Sequence, residues 1–119
     1  MTIDVESWRI RAAWQGRISG CLLGKPLEVL SFEQGPAGVT AYLESAGAVP
    51  LRDYVPLLEG TGPARIARDC CRGRISRAER DDDIDYTVLA LLMLEECGKD
   101  LSTEDVARAW LTRSPCFFR

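Results

Sequence analysis

Asp81-Asp82-Asp83-Ile84-Asp85-Tyr86-Thr87 places four carboxylates within five residues, directly ahead of the apolar run Val88 to Leu94. Carboxylates this close repel one another unless a cation, a helix N-terminus or bulk water compensates them. Held at the rigid start of an apolar helix, they are oxygen donors of the kind that bind Mg²⁺ or Ca²⁺. The same residues have a plainer use, because aspartate is a preferred N-cap and acids in a first turn interact well with the helix dipole. An EF-hand does not fit. Counting from Asp81, Tyr86 stands where the loop needs glycine and Leu92 where it needs a bidentate glutamate.

The remaining side chains narrow the chemistry. The chain has no histidine, which excludes His-based triads and zincin motifs. Acid–base work would fall to carboxylates or to a metal-bound water. The cysteines are Cys21, Cys70, Cys71, Cys97 and Cys116. Their odd number and the lack of a CxxC pair indicate neither a disulfide framework nor a zinc site. The stretch from Arg65 to Arg80 carries six arginines, but acids interrupt it and no aromatics interleave. It reads first as a solvated basic loop, with a phosphate-facing arginine cluster and a nucleic-acid surface as weaker alternatives.

The elements that position these residues read as helices throughout. Val5 to Gly24 forms a first helix capped by Asp4, with Trp8, Ala12, Ile18, Leu22 and Leu23 inward, and Lys25-Pro26 ends it. Gly16, Gly20 and Gly24 share one face at about 1 kcal/mol each relative to alanine, a cost that suggests close approach of a backbone or ligand. A second helix covers Pro36 to Ala46 and stops at Gly47. Val49 to Arg65 is a Pro- and Gly-rich loop, Ile66 to Arg72 a short helical turn, and Gly73 to Asp81 a charged connection. The helix after the aspartates stops at Gly98 and is apolar on more than one side, the pattern of a buried central helix. Ser102 and Asp105 form a capping box for a last helix, with Leu101 and Val106 as its staple, and Ser114-Pro115 closes it.

No segment shows strand alternation, so the fold class is all-α, as an orthogonal helical bundle. A length of 119 residues and 46% hydrophobic content suit one domain, 1–119, with a modest core. An apolar central helix and the terminal Cys116-Phe117-Phe118-Arg119 need covering. They suggest an incomplete, N-terminal part of a larger helical domain, or self-association through uncovered apolar faces. The polar start from Met1 to Arg11 carries no signal peptide, and Val88 to Leu94 is too short to span a bilayer. A reduced cytoplasm is expected, with no membrane partner.

Two segments together resemble a known family. Arg9-Ile10-Arg11-Ala12-Ala13-Trp14-Gln15-Gly16-Arg17-Ile18-Ser19-Gly20-Cys21-Leu22-Leu23-Gly24-Lys25-Pro26-Leu27-Glu28 is similar to the N-terminal signature of the ADP-ribosylglycohydrolases. That signature is a small-residue helix followed by Gly-Asp-x-x-Gly, a proline and a glutamate. Asp81 to Thr87 resembles the family's Thr-Asp-Asp-Thr-x-x-Thr metal motif. The resemblance implies an all-helical, Mg²⁺-dependent hydrolase with two metal ions, acting on the glycosidic bond between ADP-ribose and an acceptor. It implies Asp82 and Asp83 as metal ligands, with Asp81 replacing a ligating threonine. It implies Glu28 as the catalytic carboxylate near the substrate, a candidate for orienting the attacking water or contacting ribose, with Gly20 and Gly24 lining the substrate. The expected ligand is ADP-ribose or an ADP-ribosylated protein or small molecule. Two departures stand out. Cys21 replaces the aspartate of Gly-Asp, and the family's C-terminal Asp-x-Asp-Thr-like motif has no counterpart after Leu94.

Overall fold

The computed structural model describes residues 4–117, with side chains through Arg113. Among these residues the secondary structure is entirely helical, and the chain forms two compact units, Met1–Glu79 and Arg80–Arg119.

The first unit is built on α1 (Val5–Ser45), which is two helical arms, 5–34 and 36–45, meeting at Gly35. Asp4 starts the first arm, accepting hydrogen bonds from the Glu6 N–H at 3.2 Å and the Ser7 hydroxyl at 2.8 Å. The Ser7 hydroxyl, more than the backbone, holds the Asp4 carboxyl below its usual range. The expected stop at Lys25-Pro26 does not occur, and the helix continues through Pro26 to residue 34. An interior proline costs about 3 kcal/mol. Burial of Leu30 with Tyr42 and Val55, with Leu27 packed alongside, returns about 1.5–3 kcal/mol per fully buried side chain. Packing therefore outweighs the lost backbone bond.

The break comes at Gly35, with φ 63° and ψ −164°, a region essentially restricted to glycine. Pro36 then opens the second arm, which reaches Ser45, with Gly47 at φ 62° just beyond. This matches the expected helix over 36–46. The second arm returns Tyr42 to the first. Its buried hydroxyl donates to the Pro56 carbonyl at 2.7 Å and accepts from the Leu58 N–H at 3.2 Å, tying the 55–58 segment to the bend.

The segment expected to be loop as far as Arg65 contains α2 (Gly62–Ile66), started by Pro63 in its first turn. A 3₁₀ turn at Arg68–Cys70 follows. Cys70 and Ala67 are buried against Leu22, with Ile18, Tyr54 and Ile75 around them. The Arg72 N–H bonds the Val55 carbonyl at 2.8 Å, and Gly73 turns the chain at φ 77°. From there to Asp81 the chain is an irregular connection, as its charge suggested.

The second unit is the pair α3 (Asp82–Cys97) and α4 (Thr103–Phe117). Gly98 at φ 74° ends α3 at the expected place. Ser102 and Asp105 form the capping box reciprocally: the Asp105 N–H bonds Ser102 Oγ at 3.2 Å, and Asp105 Oδ2 accepts from the Ser102 N–H at 3.1 Å. The Tyr86 and Trp110 rings, with centroids 5.0 Å apart, join the two helices. Helix α4 continues beyond Ser114-Pro115 to Phe117, so the expected stop is not observed. Phe118 and Arg119, and the side chains of Cys116 and Phe117, lie outside the described residues. Helix α3 buries Leu89 but leaves Leu91 and Leu94 exposed. It is not the all-round buried helix its composition suggested. No helix among the described residues is long and apolar enough to cross a membrane.

Candidate functional site

The four aspartates occupy the start of α3, and each sits in a different setting. Asp81 is the N-cap: its backbone is extended and its Oδ1 accepts the Asp83 N–H at 3.1 Å. Asp82 and Asp83 form the first helical turn and are exposed. Asp85 is half-buried, and its Oδ2 accepts from Arg80 Nε at 2.9 Å. Thr87 points back into its own helix, donating to the Asp83 carbonyl at 2.8 Å.

One carboxylate of the cluster is therefore matched by an arginine, and another serves partly as a cap. Asp82 and Asp83, one residue apart on a helix, project about 100° from each other. Asp81 lies beside Asp83, because its carboxylate reaches over the Asp83 backbone. The Asp81–Asp83 edge is a set of hard oxygen donors, and that chemistry fits Mg²⁺ with most of its coordination left to water. Against this stands the helix dipole, which places roughly half a positive charge at the same end. It favours the carboxylates and opposes a cation.

Gly20, Gly24 and Glu28 belong to the first unit, on the long arm of α1, and all three are exposed. The continuation of the helix through Pro26 changes how Glu28 is placed. Rather than following the helix on a loop, it stands in helical register with both glycines, four and eight residues along. The three thus form one stripe about 12 Å long. Of the two expected reasons for the glycines, close approach of another backbone is not observed. A Cβ built at Gly16, Gly20 or Gly24 meets nothing within 4 Å beyond the helix's own backbone. Their small size opens room on the surface and does not admit a packed neighbour.

The basic stretch is partly paired. Arg68 binds Glu59 through both guanidinium nitrogens at 2.7–2.8 Å, Arg77 binds Glu79 at 2.7 Å, and Arg80 binds Asp85. Three of the six arginines are matched in this way, which lowers the charge open to a nucleic acid on this stretch. Cys70 and Cys71 are buried, and burial pushes the Cys71 thiol up. Such thiols pack and do not react.

One concave feature was missed from the sequence. A groove of about 380 Å³ follows the helix break, between the two arms of α1 and the 58–65 segment. The Gly35-Pro36 pair was its only signal, since a break there folds residues 29–34 back toward 38–45.

Comparison with protein-family models, with curated proteins and with solved structures finds no match to this chain.

Proposed function

We propose that this chain is an ADP-ribosylglycohydrolase-like helical protein whose Asp81–Asp83 edge holds Mg²⁺ and, through it, an ADP-ribosyl ligand. The observation that carries the reading is that a capped helix start brings the Asp81 and Asp83 carboxylates side by side, with Asp82 exposed next to them. It provides rigid, solvent-accessible oxygen donors of the type a hard divalent ion requires. Glu28 and the Gly20–Gly24 stripe correspond to the family's substrate-facing helix, and the exposed glycines leave surface room there. When bound, paired Mg²⁺ ions supply charge stabilisation and an acidified water. The second ligand motif of the family is not among these residues. Metal-dependent ADP-ribose binding is therefore the proposed property of this chain, and hydrolysis the property of a complete ligand set.

The test is mutational. Asp82→Ala and Asp83→Ala should abolish Mg²⁺-dependent binding of ADP-ribose and leave the helical circular dichroism intact. Binding unchanged in both variants would refute the assignment of the edge.

A second reading has its own support. The Asp81 carboxylate is engaged with the Asp83 N–H and Asp85 with Arg80, the use expected in a non-catalytic helical module where acids only start a helix. That module would bind neither Mg²⁺ nor ADP-ribose, and the same variants separate the two.

A further inference from the structure

We infer that the groove at the α1 bend binds a zwitterionic ligand with an apolar body, an apolar amino acid or a dipeptide with free ends. The groove's volume, about 380 Å³, lies within the range of small-molecule sites. Its lining includes Leu30, Ala41, Tyr42 and Leu58. Tyr42 supplies an aromatic surface and no free polar atom, because its hydroxyl already donates to the Pro56 carbonyl and accepts from the Leu58 N–H. Ser45 and Thr61 have used their hydroxyl protons, donating to the Ala41 and Leu58 carbonyls at 2.8 and 2.5 Å, and keep acceptor capacity alone.

The formally charged side chains of the groove are Glu33 and Arg65, which line it from α1 and α2. Neither takes part in an ion pair with a described residue, whereas Arg68, three residues beyond Arg65, is matched by Glu59. Two opposite charges on one groove that do not reach each other are bridged by a ligand carrying both signs. An ammonium meets the Glu33 carboxylate, a carboxylate meets the Arg65 guanidinium, and the apolar side chain covers Leu30 and Tyr42.

The frame is rigid. Gly35 adopts a backbone conformation that only glycine tolerates. At Gly38, a Cβ would lie 2.3 Å from the Cβ of Gln34, so the two arms close on each other with no room to spare. A bend packed in this way sets where the Glu33 backbone stands and leaves mainly its side chain to order upon binding.

The inference is independent of the metal edge. The experiment is a nuclear magnetic resonance titration of the full chain, in chelator, with L-leucine and with Leu-Leu dipeptide. The controls are N-acetyl-leucine, which lacks the ammonium, and leucinamide, which lacks the carboxylate. Shifts should concentrate at Gly38, Leu58, Thr61 and Gly62. Each control, and each of the surface variants Glu33→Gln and Arg65→Gln, should weaken binding by about 2- to 5-fold, the range expected of a solvent-exposed charge pair. The absence of groove shifts with either probe would overturn the inference. So would equal binding of N-acetyl-leucine or leucinamide, or unchanged affinity in both variants.

Discussion

Replacing Gly38 by alanine tests the helix break on which the first unit is built. The new Cβ would stand 2.3 Å from Gln34 Cβ, more than an ångström inside the ~3.5 Å at which carbon atoms begin to attract. Gln34 Cβ is anchored to backbone and has no rotamer that removes it. The arms must separate, and the separation is felt where Leu30 meets Tyr42 and Val55. Overpacking of this kind costs about 1–3 kcal/mol, and alanine's better helix propensity returns at most about 1 kcal/mol. A contact more than an ångström too short belongs in the upper half of that range, about 2–3 kcal/mol, so a net loss of about 1–2 kcal/mol follows. With a urea m-value near 1.5 kcal/mol per molar, the midpoint should fall by about 1 M. The control is Gly20→Ala, where the new methyl meets only open space and stability should rise by up to about 1 kcal/mol. Urea melts followed by helical circular dichroism read both. A Gly38→Ala chain as stable as the parent would refute the packed bend, and a destabilised Gly20→Ala chain would mean that a neighbour does approach the glycine stripe.

Asp81→Ala removes the α3 cap and should lower stability by about 1 kcal/mol in the same melts, with Asp81→Asn close to the parent. Asp105 gives a pH dependence. Its carboxyl is held below 3.8 by the Ser102 hydroxyl first, then by the Ser102 N–H and Arg108. Its contribution is therefore full above 3.8, the unfolded value, and is lost as pH falls through the lower folded value. Asp105→Asn should flatten the loss of α4 helicity in that acid window, read by circular dichroism from pH 5 to 2. Timed alkylation followed by mass spectrometry should label exposed Cys97 early and buried Cys70 and Cys71 only on unfolding. Early labelling of Cys71 would contradict its burial.

What the sequence revealed was punctuation. Pro36 and Gly47 bracket the second arm of α1, Gly98 ends α3, and Ser102 with Asp105 starts α4, because these residues act through their own backbone or the next turn. The misreadings involve forces from farther along the chain. Pro26 looks like a stop locally, yet Leu27 and Leu30 are held by Val55, twenty-five residues beyond Leu30. Pro63 reads locally as a loop residue, yet its fixed φ suits the first turn of α2. The Asp81–Asp85 run was legible as a helix start, and the structure bears that out. That Asp85 would be taken by Arg80 was not, because adjacent unlike charges do not reveal which partner each prefers. The alignment of Glu28 with Gly20 and Gly24 was hidden for the same reason as the long first arm.

The account's central claim is tested most directly by calorimetric titration of ADP-ribose into the folded full chain, once with Mg²⁺ and once with excess chelator. Saturable heat with Mg²⁺ that vanishes in chelator is the predicted result, and it would place a working metal edge at Asp81 to Asp83. The same heat in both conditions, or none in either, would contradict the claim and leave those aspartates as the start of a helix.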